Sequence, residues 1–587
     1  MTKLLFILQH TALLSIFLLS TYGLGARLVK SNKSIEHLGT GFIISLKLCC
    51  GMGIFITVLQ FLGILENLKL WSVSTLLCVG LCFFILELKQ NIKKQTIESS
   101  LKALQHKITQ HPLSTTLVLV FLIITILKAL APPNAWDEVM YHLPHAREWA
   151  NAGALTINKW LRYPYFPYNF DLLYAASLVF GYDVLPHLLH ASAGMVTVLG
   201  LYGLGRSLFN HNVASLAAII FISTINGLAQ TAYVELGLTM FLFFGFICVY
   251  QGYWNGNFRF VLIGMFLIGL AVGTKYQSLF YIPLLAGIVL FKERKIKNYA
   301  ALTVAFLLPC SYWYIRNYIL TGNPVEPLAG TIFGYYSWNE FDMQLQIADL
   351  KRVADWPPPI LWLSIIPLLF LKRFSLSTKA IAFFCIYGFI TWYFTSHYSR
   401  YLIPVYPFMS LFAAQGIWMA LHMIHIRTKQ TNFKRIYLQR FTKNQKLKYA
   451  AYPVILIALL IFMPKTLSKI QADGASRGDF LKDKIYSYHI GVFLRAHPEY
   501  RLVQIGLESD LYYLPSGTIG DVFGEGRYQN LLGLSSSQLA NKIKSFGANA
   551  LLISNKRGGE LITSQPEFNR YFTLVNSTDY AQLYSVK

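Results

Sequence analysis

Apolar runs recur along the chain with short polar connectors between them. A helix crossing the roughly 30 Å bilayer core needs about 20 mostly apolar residues. Such stretches fall at 4–24, 42–65, 70–88, 113–131, 183–205, 212–227, 229–251, 258–274, 277–291, 298–318, 357–371, 378–396, 400–424 and 450–467. They predict an α-helical polytopic membrane protein of about 14 spans. The first run is long for a signal-peptide core, has one lysine before it and lacks a clear small-residue cleavage site, so it reads as a retained span. Beyond about residue 468 the pattern changes. Strand-like runs at 502–506, 550–554, 571–575 and 581–586 alternate with helical patterns at 480–496 and 535–546. Ser535 and Ser536 can cap the second of these helices. The tail predicts a small α/β domain outside the membrane.

Composition sharpens this picture. The 587 residues are 55% hydrophobic and 13% charged, about half the ~25% charge of a soluble domain. A soluble enzyme and a disordered chain are excluded. The net charge of +24 would suggest nucleic acid in a soluble protein, but here it is sided. Arg27, Lys30, Lys33, Lys89, Lys93, Lys94, Lys102, Lys107, Arg206, Lys292, Arg294, Lys295, Lys297, Lys372, Arg373, Lys379 and a dense run at 427–448 all fall on one set of alternate connectors. The positive-inside rule makes that face cytoplasmic, so the charge gives no evidence for a nucleic-acid partner. The loops at 132–182 and 321–358, and everything after about 465, are expected outside. Cys49, Cys50, Cys78, Cys82, Cys248, Cys310 and Cys385 all lie in apolar runs. They read as small buried hydrophobes rather than a disulfide framework, and the lack of paired external cysteines fits a bacterial inner membrane.

Chemistry-bearing residues gather at the expected outer face. Asp137 and Glu138 follow the span at 113–131, flanked by Trp136, Tyr141 and His142. Pro144 can open a short interfacial helix carrying His145, Arg147, Glu148 and Trp149. A Pro- and Tyr-rich stretch follows from Arg162 to Tyr168. Solvated interfacial acids are the bland reading, but an acidic pair at membrane level is expensive unless partnered or used. Lys275, Arg316 and Arg400 sit at outer ends of spans, and Glu235 begins a span on the same side. Singly, each cation snorkels to the interface. Jointly they suit a phosphate. Asp137, Glu138, His142 and His145 have no recognised metal-site spacing, so no cofactor is called, and a divalent metal has no support from the ligand pattern. The chain has no Asp-x-Asp, and Gly524-Glu525-Gly526 lacks a strand–turn–helix context for a nucleotide.

The segment Trp136-Asp-Glu-Val-Met-Tyr-His-Leu-Pro144, then Gly273-Thr-Lys275, Arg316-Asn-Tyr-Ile-Leu-Thr-Gly-Asn-Pro324 and Arg400-Tyr-Leu-Ile-Pro-Val-Tyr-Pro407, resemble the GT-C superfamily of polytopic glycosyltransferases. The similar branch is that of protein O-mannosyltransferases and the lipid A aminoarabinose transferase. The resemblance implies a catalytic membrane core over 113–467 with the acidic loop at 132–182, and an external (periplasmic) domain over 468–587. It departs at the start: about three spans precede the one that leads into the acidic loop, a loop that normally follows the first span, so 1–112 is an extension without an assigned role. The resemblance implies a polyprenyl-phosphate-linked monosaccharide donor, an acceptor hydroxyl on a lipid or protein, and inversion at the anomeric carbon. Asp137 is then the expected general base and Glu138 orients the acceptor or a cation. Lys275, Arg316 and Arg400 bind the donor phosphate, and Tyr141, His142, Glu235 and Tyr401 line the site. Two other classes compete. A secondary transporter would want charged or broken helices at the midplane and inverted repeats; a lipid-glycan ligase or polymerase would want a large late outer loop. A non-catalytic scaffold would tolerate Asp137→Asn.

Overall fold

The computed structural model describes residues 2–30, 36–94, 112–352, 355–429, 463–557 and 559–587. Three helices open the chain: α1 (Lys3–Leu28), α2 (Gly39–Ile64) and α3 (Leu70–Lys94). They close on one another through glycines. A Cβ at Gly51 of α2 would lie 1.6 Å from the Thr21 carbonyl oxygen of α1, and one at Gly23 of α1 would lie 2.0 Å from that of Gly80 on α3. Backbones this near leave room only for hydrogen, the usual device where lipid gives no hydrophobic drive between helices. Lys47 and Glu87 meet at 2.8 Å inside this cluster, so the charges that α2 and α3 carry into the bundle are paired.

Next come α4 (Pro112–Lys128), a π-helical turn (Glu138–His142), α5 (Leu143–Ala152) and α6 (Asp171–Val179). The central bundle follows with α7 (Leu185–Leu208), α8 (His211–Ile225), α9 (Glu235–Trp254) and α10 (Phe258–Val272). Helices α7 and α9 are apolar on every side and buried over 83% and 89% of their central windows, as a helix in the middle of a bundle must be.

Seven helical stretches among the described residues are long and apolar enough to cross a membrane: α1, α2, α3, α7, α9, α15 (Leu376–Thr395, introduced below) and Ser399–Met423. Three other expected spans are broken, and proline is the reason. The run at 298–318 is two helices, α12 (Ile296–Leu307) and α13 (Ser311–Thr321), parted at Pro309. The run at 277–291 is a 3₁₀ turn (Tyr276–Tyr281) leading into α11 (Ile282–Lys292), with Pro283 in its first turn. Pro359, Pro367 and neighbouring prolines reduce 357–371 to a 3₁₀ turn (Pro359–Ser364) and one helical turn (Ile365–Leu368). Proline supplies no N–H and clashes with the preceding turn. After α14 (Glu340–Arg352) come α15, a 3₁₀ turn (Ser399–Val405) containing Pro404, and α16 (Tyr406–Lys429). Most of the basic run at 427–448 and most of the expected span at 450–467 lie outside the described residues.

The C-terminal segment forms the expected α/β unit. Its helices are α17 (Gly474–Lys482), α18 (Tyr488–Ala496) and α19 (Ser536–Ser545). Its strands are β1 (Leu502–Ile505), β2 (Ala550–Ser554), β3 (Phe572–Ser577) and β4 (Ala581–Val586), in the order β1-β2-β4-β3. β1 and β2 pair in parallel; β4 runs antiparallel to both β2 and β3. A capping box between Ser535 and Gln538 starts α19. The single helix expected at 480–496 is two, because Asp510 takes the Ser487 N–H and hydroxyl at 2.8 and 2.9 Å and turns the chain between α17 and α18. All seven cysteines are unpaired, and Cys78 and Cys82 stand exposed on α3 rather than buried.

Candidate functional site

The segment between α4 and α5 carries both acids. Pro144 lies in the first turn of α5 and offers no N–H to the carbonyl of Met140. The turn before it takes the wider π form, with the Leu143 N–H reaching the Glu138 carbonyl. Side chains on adjacent helical positions diverge, and the two acids point into different surroundings.

Glu138 points inward and is fully buried. Its carboxylate accepts from the N–H groups of Asn134 (2.5 Å), Ala135 (2.6 Å) and Ala232 (2.5 Å), and from Nε2 of His187 (2.9 Å). It ties the acidic loop to α7 and to the segment before α9. Burial acts to raise its pKa, but His187 and the Ala135 and Ala232 N–H groups outweigh it and hold the carboxyl below its ordinary value.

Asp137 points the other way, into a cluster of cations and tyrosines. Its Oδ2 accepts from Nη1 of Arg400 at 2.6 Å. The Arg400 guanidinium lies over the rings of Tyr401 (5.3 Å), Tyr233 (5.4 Å) and Tyr398 (5.6 Å). Lys275 bonds Oε1 of Glu235 at 2.7 Å, and its ammonium sits 4.4 Å from the Tyr401 ring centre. The Tyr401 ring therefore joins two acid–base pairs, Asp137–Arg400 and Glu235–Lys275. Tyr141 closes the cluster, buried edge-on against Tyr163 at 5.0 Å and tilted against His142 at 4.1 Å. Burial and the Asp137 charge push the Tyr141 hydroxyl well above its usual pKa, against the pull of Arg400. His142 donates from Nδ1 to Oδ1 of Asp171 at 2.6 Å. Asp171 is fully buried, and burial raises its pKa against the opposing pull of His142.

Of the three expected phosphate cations, Lys275 and Arg400 come together and Arg316 does not join them. Arg316 sits across the 164–166 segment, where it donates to Oδ1 of Asn317 (2.9 and 3.1 Å) and to the carbonyls of Phe166 (3.3 Å) and Pro164 (3.4 Å). It borders an apolar cavity of about 470 Å³ lined by Gln60, Phe61, Ile64, Leu308 and Ile315 among others. Three residues beyond that segment stands Asn169, a buried hub. Asn169 accepts from Trp313 Nε1 (2.7 Å) and Gln60 (3.2 Å), and donates to the Pro309 carbonyl at the helix break (2.8 Å). The break thus has its freed backbone group satisfied.

Sequence reasoning missed Tyr233, Asp171 and His187. Tyr233 had a signal, being two residues before Glu235; Asp171 and His187 had none without the fold. Among the described residues no group of three or more His, Cys, Asp or Glu is placed to hold a metal ion.

The α/β unit covers this loop. Arg162 forms a buried ion pair with Asp521, with Nε 3.0 Å from both carboxylate oxygens. Arg527 pairs with Asp342, and Arg477 with Asp183. The Tyr513 hydroxyl donates to the Pro133 carbonyl at 2.6 Å, and Arg147 donates to the carbonyls of Tyr512 (2.6 Å) and Leu514 (2.9 Å).

Comparison with known proteins adds the lineage. A family model described as dolichyl-phosphate-mannose-protein mannosyltransferase matches residues 177–314, and one described as SF2091/S2213 matches 476–585. The uncharacterized protein SF2093/S2215 of Shigella flexneri is 36% identical over 135 residues, 22% of this chain and 68% of that protein. The uncharacterized protein SF2092/S2214 of the same organism is 31% identical over 155 residues, 24% of this chain and 82% of that protein. Among solved structures, ArnT from Cupriavidus metallidurans bound to undecaprenyl phosphate superposes with a TM-score of 0.51 at 14% identity, over 81% of this chain and 98% of that one. The chain belongs to one family with the two Shigella flexneri proteins, and its fold is the GT-C fold expected from its motifs.

Proposed function

From a GT-C fold as premise, we propose that this chain moves a monosaccharide from a polyprenyl-phosphate-linked donor to an acceptor hydroxyl, with inversion at the anomeric carbon and Asp137 as general base. The observation that carries this is the Asp137–Arg400 pair at 2.6 Å beside Lys275 and Tyr401: a carboxylate and two cations in one cluster. The donor phosphate draws Arg400 and Lys275 to itself, which releases Asp137 toward the incoming hydroxyl. The acceptor oxygen then forms its bond to the anomeric carbon as the bond to the phosphate oxygen breaks. The phosphate leaves with the electron pair, and the hydroxyl proton passes to Asp137. A positioned base contributes about 10²–10⁴-fold, and fixed cations stabilise the charge developing on the leaving phosphate.

Tyr141, His142, Glu235 and Tyr401 line the reacting space, with Glu235 holding Lys275 and Asp171 orienting His142. Glu138 acts as a positioning residue through its hold on the loop. Arg316, at the edge of an apolar cavity, guides the lipid phosphate of the donor. The undecaprenyl phosphate in the ArnT structure belongs to the lipid class inferred for that donor. Lys and Arg sidedness supports the site and the 468–587 domain facing away from the cytoplasm, which in a bacterial inner membrane is the periplasm; the motifs support a catalytic core over 113–467 and an N-terminal extension over 1–112.

The test uses purified wild-type protein and Asp137→Asn with radiolabelled polyprenyl-phosphate sugars and a membrane extract as acceptor. Label transfer by wild type, lost in Asp137→Asn with donor binding kept, is the expected result. No donor binding by wild type would overturn the lipid-linked reading; equal transfer by both proteins would remove Asp137 as base.

A further inference from the structure

A second cavity lies outside the cluster around Asp137. It measures about 550 Å³ and opens where the α/β unit meets the loop residue Trp160. Its walls combine two chemistries. Trp160, Tyr500 and Phe546 supply aromatic surface, with Trp160 and Phe546 edge to face at 5.7 Å. Arg495 and Arg501 supply guanidinium groups, and no carboxylate is among the lining residues. Arg495 makes one long bond, 3.4 Å to the Tyr513 carbonyl, and the Arg501 side chain forms no ion pair among the described residues. Lys542, outside the lining, lies over the Phe546 ring at 4.9 Å. Gly517 and Gly547, both at positive φ, expose bare backbone at the mouth, with nothing within 4 Å of where a Cβ would stand.

Flat apolar rings beside planar, permanently charged forks suit a ligand with a carbon face and an anionic edge. The rings take the C–H face of a sugar, and the guanidinium groups take a carboxylate or phosphate in paired hydrogen bonds. Arg495 and Arg501 are both exposed to solvent, so a purely apolar ligand would gain nothing from either. A bare inorganic anion would leave the three rings idle.

We propose that this cavity binds an acidic saccharide, the part of the acceptor lying beyond the hydroxyl that reacts. The inference rests on the transferase reading above. Trp160 and Tyr163, which packs on Tyr141, are three residues apart and so at most about 10 Å along the chain. One oligosaccharide of a few units spans that interval. The ion pairs Arg162–Asp521 and Lys159–Glu525 hold the two walls together on either side of Trp160.

The test measures binding to full-length protein in detergent by calorimetry. The probes are a galacturonic acid trimer, an uncharged galactose trimer and inorganic phosphate, each on wild type and on Arg495→Gln/Arg501→Gln. The expected result is that the acidic trimer binds tightest and loses at least about tenfold in the double variant, with polyprenyl-phosphate binding unchanged. Equal affinity for the uncharged trimer overturns the charge requirement, and phosphate binding as tightly as the acidic trimer overturns the saccharide. A double variant that binds the acidic trimer like wild type places the ligand elsewhere. Trp160→Ala, which removes the ring, should also weaken the acidic trimer while Trp160→Phe keeps it; unchanged binding in Trp160→Ala overturns the cavity, and an unchanged melting temperature separates loss of the wall from loss of fold. Transfer activity with none of this binding would sink the acceptor cavity alone and leave the transferase standing.

Discussion

Glu138→Gln separates a structural carboxylate from a reacting one. In wild type the carboxylate accepts from three backbone N–H groups and from His187. A glutamine amide has one oxygen, so its NH₂ faces at least one of the donors now served by the second oxygen, Ala232 N–H or His187. One or two buried donors are left unsatisfied at about 1–3 kcal/mol each, and breaking a buried charged pair costs about 3–5 kcal/mol. The two figures count the same loss in two ways and overlap from about 3 kcal/mol upward, which is the expected minimum. Domains of 150–250 residues shift by about 2–4 °C per kcal/mol, and longer chains by less, so the melting temperature should fall by about 3–6 °C in a thermal-unfolding measurement in detergent. Asp137→Asn keeps one oxygen for the partly exposed Arg400 and no second buried donor is stranded, so it should lose less than Glu138→Gln. The sign of the pH dependence follows from the lowered Glu138 pKa. The stabilisation is fully present above the ordinary value of 4.5 and is lost as pH falls through the lower folded value. The reasoning is refuted if Glu138→Gln melts with wild type yet abolishes sugar transfer, because Glu138 would then be reacting rather than holding.

Other perturbations probe the cover and the loop. Removing one partner of the buried Arg162–Asp521 pair, as Arg162→Ala, should cost about 3–5 kcal/mol and open the junction to limited proteolysis; an unchanged digestion pattern would argue against the clamp. Burial lifts Asp510 to about 6 from 3.8, so the fold favours its protonated form and pays for ionising it above that pH; Asp510→Asn should stabilise the α/β unit by up to about 3 kcal/mol above pH 6, seen as a raised melting temperature. His145, which burial drives down to about 3 from 6.5, contributes stability that is full above 6.5 and declines as pH falls below it. His145→Asn should flatten that acid limb in unfolding measurements.

The membrane class of the fold was legible because apolar length is a one-dimensional property. Where helices break was legible only in part: Pro309 stands in plain view within 298–318, yet the apolar run reads as one span across it. The site divides along similar lines. Asp137, Lys275 and Arg400 announced themselves as charges at span ends, and they do converge. Glu138 is indistinguishable from Asp137 as a neighbour in sequence, and only the turn decides that one faces the cluster and the other the interior. Arg316 looked equivalent to Arg400, but its guanidinium is taken up by the Pro164 and Phe166 carbonyls, about 150 positions earlier in the chain. Asp171 and His187 carry no local signal because their meaning is the distant residue each one faces.

The kink at Pro309 also bears on how the chain is assembled. Its carbonyl is held by Asn169 and faces Gln60 at 3.4 Å, so three stretches of polypeptide made far apart in time converge on one oxygen. A ribosome releases them in the order 60, 169, 309, so both donor amides are made before the oxygen they share, and Pro309 brings the acceptor last. The opening helices must wait, already seated, for a partner made some 250 residues later. Biogenesis of this protein is thus a matter of keeping an early site vacant and in register, and the α/β cover can settle only on a loop whose far side has already been locked.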